Sequence, residues 1–301
     1  MNTDRNNKLP ALFSPVIAGT MTWGKWGAQF NTKEYLALIE ACLENGIDTF
    51  DHADIYGNYS TEQEFGKALA DHSSLRSSMK IITKCGICMP CDARPAFTTK
   101  HYDYSAKHIR SSVEQSLMNF NTDYLDFLLL HRPSPLVDTS VVAEVFDELK
   151  QEGKVLHFGV SNFTPSQFEH LNSLTPLSTN QVECNLLKPD AFTDGTFDQA
   201  RQKGYQPTIW SPLGGGKLFK AEKGERENRI IDAAQPIMEK YGVQLDQLLL
   251  IWLCQHPALP VPVLGTTKIQ RLKDALEGLQ HQLTTQEWFV LYEAYLGEEI
   301  P

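Results

Sequence analysis

The feature that most constrains this chain is an eightfold recurrence: a short β-rich run, then a segment of helical period. The runs are VIAGT from Val16, TFDHA from Thr49, KIITKCG from Lys80, YLDFLLLH from Tyr124, VLHFGVSN from Val155, NQVECN from Asn180, PTIWSPL from Pro207 and VPVLGT from Val261. Several are continuously apolar rather than alternating, the pattern of strands covered on both faces. Helix signals lie between them. Asn31 precedes an apolar-periodic run with Glu34 three residues on. Thr61 with Glu64, and Thr164 with Gln167, repeat this capping-box spacing, and Pro165 takes a first helical position. The segment 105–120 puts Ile109, Val113, Leu117 and Phe120 on one face. Helices are also predicted over 139–152, 194–204, 229–240, 244–255 and 268–280, and one more from Thr284, where Glu287 completes a capping pattern. Eight strand–helix units favour an α/β fold of the closed (β/α)8 TIM-barrel type, with an extra C-terminal helix and a long loop after the seventh strand. An open doubly wound sheet shares the pattern and stays as the alternative.

The length of 301 residues suits one such barrel, expected to span 1–301 as a single domain. The net charge of -10, without clustered Lys and Arg, argues against nucleic acid and anionic membranes as partners. The first fifteen residues hold no apolar stretch of signal-peptide length, and no later run reaches spanning length. A cytoplasmic location is the expectation, with the six cysteines as thiols. The acidic composition leans towards a monomer.

Catalytic groups of a parallel barrel sit where strands end and the following loops begin. The second run ends in Asp51, with Tyr56 five residues on; the third ends in Lys84; the fourth ends in His131. A phenol with a free pKa of about 10 is a reluctant acid at neutral pH, and a nearby ammonium is expected to lower that pKa. Asp51 can pair with Lys84 and hold it charged. His131 can hydrogen-bond a substrate oxygen. Together these groups suit proton transfer to an oxygen that gains negative charge. A Schiff-base aldolase acting through Lys84 is a competing reading of the same strand end.

FDHADIYG, IITKCG and LLLHRP resemble the catalytic segments of the aldo-keto reductase family, and GVSNF, NQVECN, WSPLGGG and VLGTTKIQRL continue the resemblance over nearly the whole chain. It looks nearest to a bacterial branch of largely uncharacterised oxidoreductases. The resemblance implies that Asp51, Tyr56, Lys84 and His131 are the catalytic four, with Tyr56 as general acid in carbonyl reduction. It also implies a nicotinamide cofactor, although the chain has no G-x-G-x-x-G, and its Gly-Gly-Gly-Lys fails as a phosphate loop at Ser211 and Leu218.

Ser161, Asn162 and Gln181 offer a hydroxyl and amides that can meet a carboxamide, the role the resemblance assigns them. Trp210 stands where the family has an aromatic stacked on the nicotinamide ring. Ser211, Pro212, Leu213, Gly214 and Gly216 resemble the pyrophosphate segment, and Lys217 adds charge. Gly265, Thr266, Thr267 and Lys268 precede a helix with Arg271, an anion-binding arrangement. Arg271 matches a family position near the adenosine 2′-phosphate, which points to NADPH/NADP+ rather than NADH. The sequence departs at Asp274-Ala275, where the family commonly has Glu-Asn near the adenine. Thr20 and Met21 end the first run at a cofactor- and substrate-facing position, and Asp51 belongs to this set as well. Met21 occurs where some branches carry Trp, so the pocket for the small carbonyl substrate is expected to differ. A barrel that binds NADP(H) to sense redox state, with little turnover, is the alternative function.

Cys85, Cys88 and Cys91 repeat a spacing seen at iron–sulfur sites, without a fourth ligand nearby. No metal is expected; a labile thiol pair is the better reading.

Overall fold

The computed structural model describes residues 12–301, so most of the opening segment expected to carry no leader lies outside the described residues. Its strands are β1 Ile17–Gly19, β2 Thr49–Asp51, β3 Lys80–Cys85, β4 Ile87–Cys88, β5 His101–Tyr102, β6 Leu125–Leu130, β7 Val155–Ser161, β8 Asn180–Glu183, β9 Thr208–Trp210 and β10 Val261–Leu264. All except β4 and β5 close into a parallel barrel in the order β1-β10-β9-β8-β7-β6-β3-β2. Each expected run supplies one barrel strand, and the pairing of β1 with both β2 and β10 closes the ring that an open sheet would leave apart.

The helices are α1 Thr32–Glu44, α2 Tyr56–Tyr59, α3 Thr61–Leu69, α4 Ala106–Phe120, α5 Thr139–Gln151, α6 Pro165–Asn172, α7 Thr196–Lys203, α8 Glu225–Tyr241, α9 Leu245–Cys254, α10 Ile269–Gly278 and α11 Thr285–Leu296. Capping boxes start α1 at Asn31, α6 at Thr164 and α11 at Thr284, as their spacing predicts. The fourth expected cap is different: α3 begins at Thr61 itself, after Ser60, with no side-chain cap. Thr61 is turned inward instead, crowded against Gly24 and Gly57, so packing overrode the local signal. No helix among the described residues is long and apolar enough to cross a membrane.

The main core lies between the strands and the surrounding helices, where α4 contributes the expected Ile109, Val113, Leu117 and Phe120. A smaller cluster fills the barrel interior, with Phe13, Ile17, Ile82, Phe127, Leu129, Val261 and Val263. The barrel is therefore a packed core rather than a pore, and only its carboxyl-end rim is free for chemistry. At the other end Arg76 pairs with Asp126 at 2.6 Å and also donates to the Met79 and Tyr124 carbonyls.

Two loops carry more structure than their sequence suggests. Within 85–104, β4 and β5 form an antiparallel hairpin that stands over the rim. The long segment after β9 is shortened by a 3-10 turn at Gly214–Phe219 and by α8, which takes up the charged stretch from Glu225.

Candidate active site

Parallel register brings three strand ends to one rim, because Asp51 pairs with Ile82 on β3 and Lys84 pairs with Leu129 on β6. Lys84 is 1% exposed. Its ammonium donates to both Asp51 oxygens at 2.8 Å, to the His52 carbonyl at 2.8 Å, and reaches the Tyr56 hydroxyl at 3.4 Å. An ammonium has three N–H donors, so these four acceptors exceed its capacity, the two Asp51 oxygens share one, and the group is fixed in place. Gln181 Nε2 donates to Asp51 Oδ1 at 2.7 Å, which anchors the carboxylate from across the barrel. His131 packs edge-on against the Tyr56 ring, with centroids 6.2 Å apart.

The electrostatics revise one expectation. Burial pushes the Tyr56 phenol above its ordinary value; Lys84 pulls it down, Asp51 pushes it up, and the net direction is up. The ammonium acts as expected, but desolvation of the phenolate outweighs it. Burial lowers Lys84, yet Asp51 and Tyr56 together more than restore it, so the amine is held charged. Burial, then Lys84, Arg132 and Lys100, drive His131 well below the usual imidazole range, so it is neutral. A neutral imidazole has one N–H to give, and Nδ1 has no partner among the described residues.

The turn bearing Tyr56 has a special backbone. Gly57, Asn58 and Tyr59 follow it with φ of 59°, 57° and 68°. Trp26 Nε1 donates to Asn58 Oδ1 at 2.9 Å and its ring lies 6.0 Å from that of Tyr56. The Tyr59 hydroxyl donates to the Ile87 carbonyl and accepts from the Met89 amide, which ties the turn to the hairpin.

A cavity of about 910 Å³ runs from this cluster along the rim. Asp51, Tyr56 and His131 line one end. Gln181, Trp210, Ser211, Pro212, Leu213, Gly215 and Gly216 follow, and then Gly265, Thr266 and Arg271. Met21 lies at the mouth, 45% exposed.

Other expected residues sit behind or beside the wall. Thr20 is buried, donating to the Asp51 carbonyl and lying 2.8 Å from His52 Nδ1. Ser161 and Asn162 belong to a chain in which Trp210 Nε1 donates to Asn162 Oδ1, Asn162 Nδ2 to Ser161 Oγ, and Ser161 Oγ to the Gln181 carbonyl. Their polar groups brace Trp210, and the Gln181 amide serves Asp51. Gly214 packs near Leu187 and Asn185, whereas Lys217 and Lys268 are exposed. Thr267 is half-buried beside the wall.

Three contributors escaped sequence reasoning. Trp23 is fully buried, and its indole donates to the Thr266 carbonyl, fixing the loop after β10. Trp26 forms wall beside Tyr56; its only signal is the repeat of Trp-Gly around Lys25. Asp246, Gln247 and Leu250 of α9 also line the cavity with Ala275, and Gln247 Nε2 donates to the Asp274 carbonyl.

The wall fits an extended anionic ligand. Gly215 and Gly216 have φ of 63° and 77°, and a Cβ at either, or at Gly265, would meet nothing within 4 Å. Bare backbone thus faces open space where phosphates can approach. The Arg271 side chain makes no ion pair among the described residues. All six cysteines are free, and the tightest metal-like grouping is Cys88 with Asp103 and His108, not the three cysteines together.

With this geometry in hand, comparisons place the chain among known proteins. A model described as the Aldo/keto reductase family matches residues 15–295. The chain is 43% identical over 292 residues to an uncharacterized oxidoreductase, YcsN, of Bacillus subtilis, covering 96% of each. It is 40% identical to a 6-dehydroglucose reductase of Agrobacterium fabrum, covering 96% of this chain and 98% of the relative. A crystal structure of the thermostable aldo-keto reductase Tm1743, in complex with the inhibitor epalrestat, shares the fold with a TM-score of 0.77 at 22% identity, covering 98% of both chains.

Proposed function

Because this chain belongs to the aldo/keto reductase family and is an oxidoreductase, we propose that it is an NADPH-dependent enzyme reducing aldehyde or ketone carbonyls to alcohols. One observation carries the reading: a buried, fully engaged Lys84 that joins Asp51 to the Tyr56 hydroxyl on the cavity wall. Such a cluster can donate a proton and stabilise the charge left behind, which is what a carbonyl oxygen requires on reduction.

NADPH, when bound, supplies hydride to the carbonyl carbon. Tyr56 transfers its hydroxyl proton to the carbonyl oxygen, and the phenolate left is held by Lys84. Asp51 keeps that ammonium aimed and charged. Neutral His131 orients the carbonyl with its one N–H. Trp210, braced through Asn162 and Ser161, would offer a flat face to the nicotinamide ring, beside Gln181 on the cavity wall. Ser211, Gly215 and Gly216 suit the pyrophosphate, and Arg271 with Thr266 suits a phosphate on the adenosine, which supports NADPH over NADH. The partner is a small carbonyl compound, and the reading treats the whole chain as one catalytic unit. The relative that reduces 6-dehydroglucose supports including aldehyde-bearing sugars in a substrate screen.

The test is Tyr56→Phe. It should lose at least about a hundredfold in kcat for aldehyde reduction, as expected for removal of a general acid, while NADPH binding followed by fluorescence stays near that of the parent. Undiminished turnover in the variant would sink the mechanism.

A further inference from the structure

The substrate end of the cavity holds two cations without counter-ions. Arg132 follows His131 directly and is half-buried. Its NH1 donates to the His131 carbonyl at 2.9 Å and lies 3.4 Å from Ser161 Oγ, and the guanidinium sits 5.6 Å from the Trp210 ring centroid. Lys100, at the foot of β5, is exposed and makes no ion pair among the described residues. Both side chains line the same cavity as Tyr56 and His131. Their charges reach the chemistry: Lys84, Arg132 and Lys100 all act on His131, and Arg132 also acts on Tyr56.

The acids on that wall do not balance them. Asp51 is taken up by Lys84 and Gln181. Asp246 stands on α9 beside Gln247, which is tied to Asp274 on α10, the helix that carries Arg271. Asp54 and Glu62 line a separate polar cavity that also includes Arg94. The protein as a whole carries -10, so a locally positive pocket is not a by-product of composition. Of the Arg132 guanidinium, only NH1 makes hydrogen bonds among the described residues, which leaves its other N–H groups to take an anionic acceptor. The rest of this end is apolar, with Trp26, Ile55, Ile87, Met89 and Tyr102.

We infer that the preferred substrates are carbonyl compounds with a short apolar body and an anionic group, a carboxylate or phosphate, bound by Arg132 and Lys100 while the carbonyl meets Tyr56 and His131. This rests on the carbonyl-reductase reading and names its substrate class. Arg132 supplies the stronger, forked contact from a partly desolvated position. Lys100 adds a screened attraction from the hairpin.

The experiment compares 4-carboxybenzaldehyde with its methyl ester, and succinic semialdehyde with butanal, by NADPH oxidation at low and high salt. The parent should favour each carboxylate by about tenfold in kcat/KM, with the margin shrinking as salt rises. Lys100→Gln should raise KM for the carboxylates about threefold and change kcat/KM for the neutral aldehydes by clearly less. Arg132→Gln should erase most of the preference; because Arg132 also touches Ser161, the Lys100 variant, which breaks no protein hydrogen bond, is the decisive one. Benzoate binding to the protein with NADP+, followed by tryptophan fluorescence, should weaken in Lys100→Gln. Equal kcat/KM for acid and ester, preference for a neutral sugar aldehyde, or a Lys100 variant that slows acid and ester alike, would each overturn the proposal. Lys100-dependent benzoate binding without turnover of any carbonyl would retain the anion site and remove the reductase reading.

Discussion

Replacing Lys84 with Met separates what this lysine does for folding from what it does for chemistry. Lys84 is 1% exposed and donates twice to Asp51 and once to the His52 carbonyl. Met fills similar space and removes the charge. Asp51, 3% exposed, then keeps only the Gln181 amide. Leaving one partner of a buried ion pair uncompensated costs about 3–5 kcal/mol. Neutralising the carboxylate as well, in Asp51→Asn with Lys84→Met, removes that charge. The remaining loss is the donor to His52, about 1 kcal/mol, plus imperfect packing. The double variant should therefore be more stable than Lys84→Met by about 2 kcal/mol, read from urea midpoints at constant slope. Activity should not follow. Both variants should fall by roughly 10²–10⁴ in kcat, because Tyr56 has lost the main group that stabilises its phenolate. A double variant no more stable than Lys84→Met, or one that regains turnover along with stability, would refute this partition.

Three further outcomes follow from the same geometry. Arg271→Met should raise KM for NADPH about tenfold and leave NADH almost unchanged, since only a charge-assisted contact to the extra phosphate is lost; equal losses for both would remove the assignment. Tyr56 acts as an acid and burial raises its pKa, so loss of reduction falls on the alkaline side: kcat/KM should be flat from about pH 6 to 9 and decline only above about 10, the ordinary value for tyrosine, whereas a decline centred near neutrality would contradict the electrostatics. Gly66→Ala should lower stability by about 1–3 kcal/mol, because a Cβ there would lie 1.9 Å from the Asn119 carbonyl oxygen and force α3 from α4; an unchanged urea midpoint would show that the helices yield freely.

Much of the fold was legible because strand and helix periods are local. Each of the eight runs became a barrel strand, and the caps at Asn31, Thr164 and Thr284 formed as spaced. Thr61 shows the limit: an equally good cap spacing was lost when the hydroxyl was drawn into the contact with Gly24 and Gly57. The four proposed catalytic residues were readable as neighbours at strand ends because parallel strands share a direction. Trp23 and Trp26 were not separable by pattern, although one is buried under the loop after β10 and the other lines the cavity. The difference comes from which neighbours the first loop meets, not from its residues alone.

By itself the sequence determined the number of barrel strands, the chemistry available at their ends, and the residue types that suit an anionic ligand. Only the tertiary structure decided which groups are engaged and which are free. Ser161, Asn162 and Gln181 look alike in the chain as polar strand-end residues, yet the barrel spends them on bracing Trp210 and Asp51. Tyr56 looks like a phenol to be acidified by a lysine, yet enclosure reverses the net shift, because desolvation depends on every atom packed around the ring. Arg132 and Lys100 lie 32 positions apart in sequence and gain a joint meaning only where the hairpin and the end of β6 face one cavity.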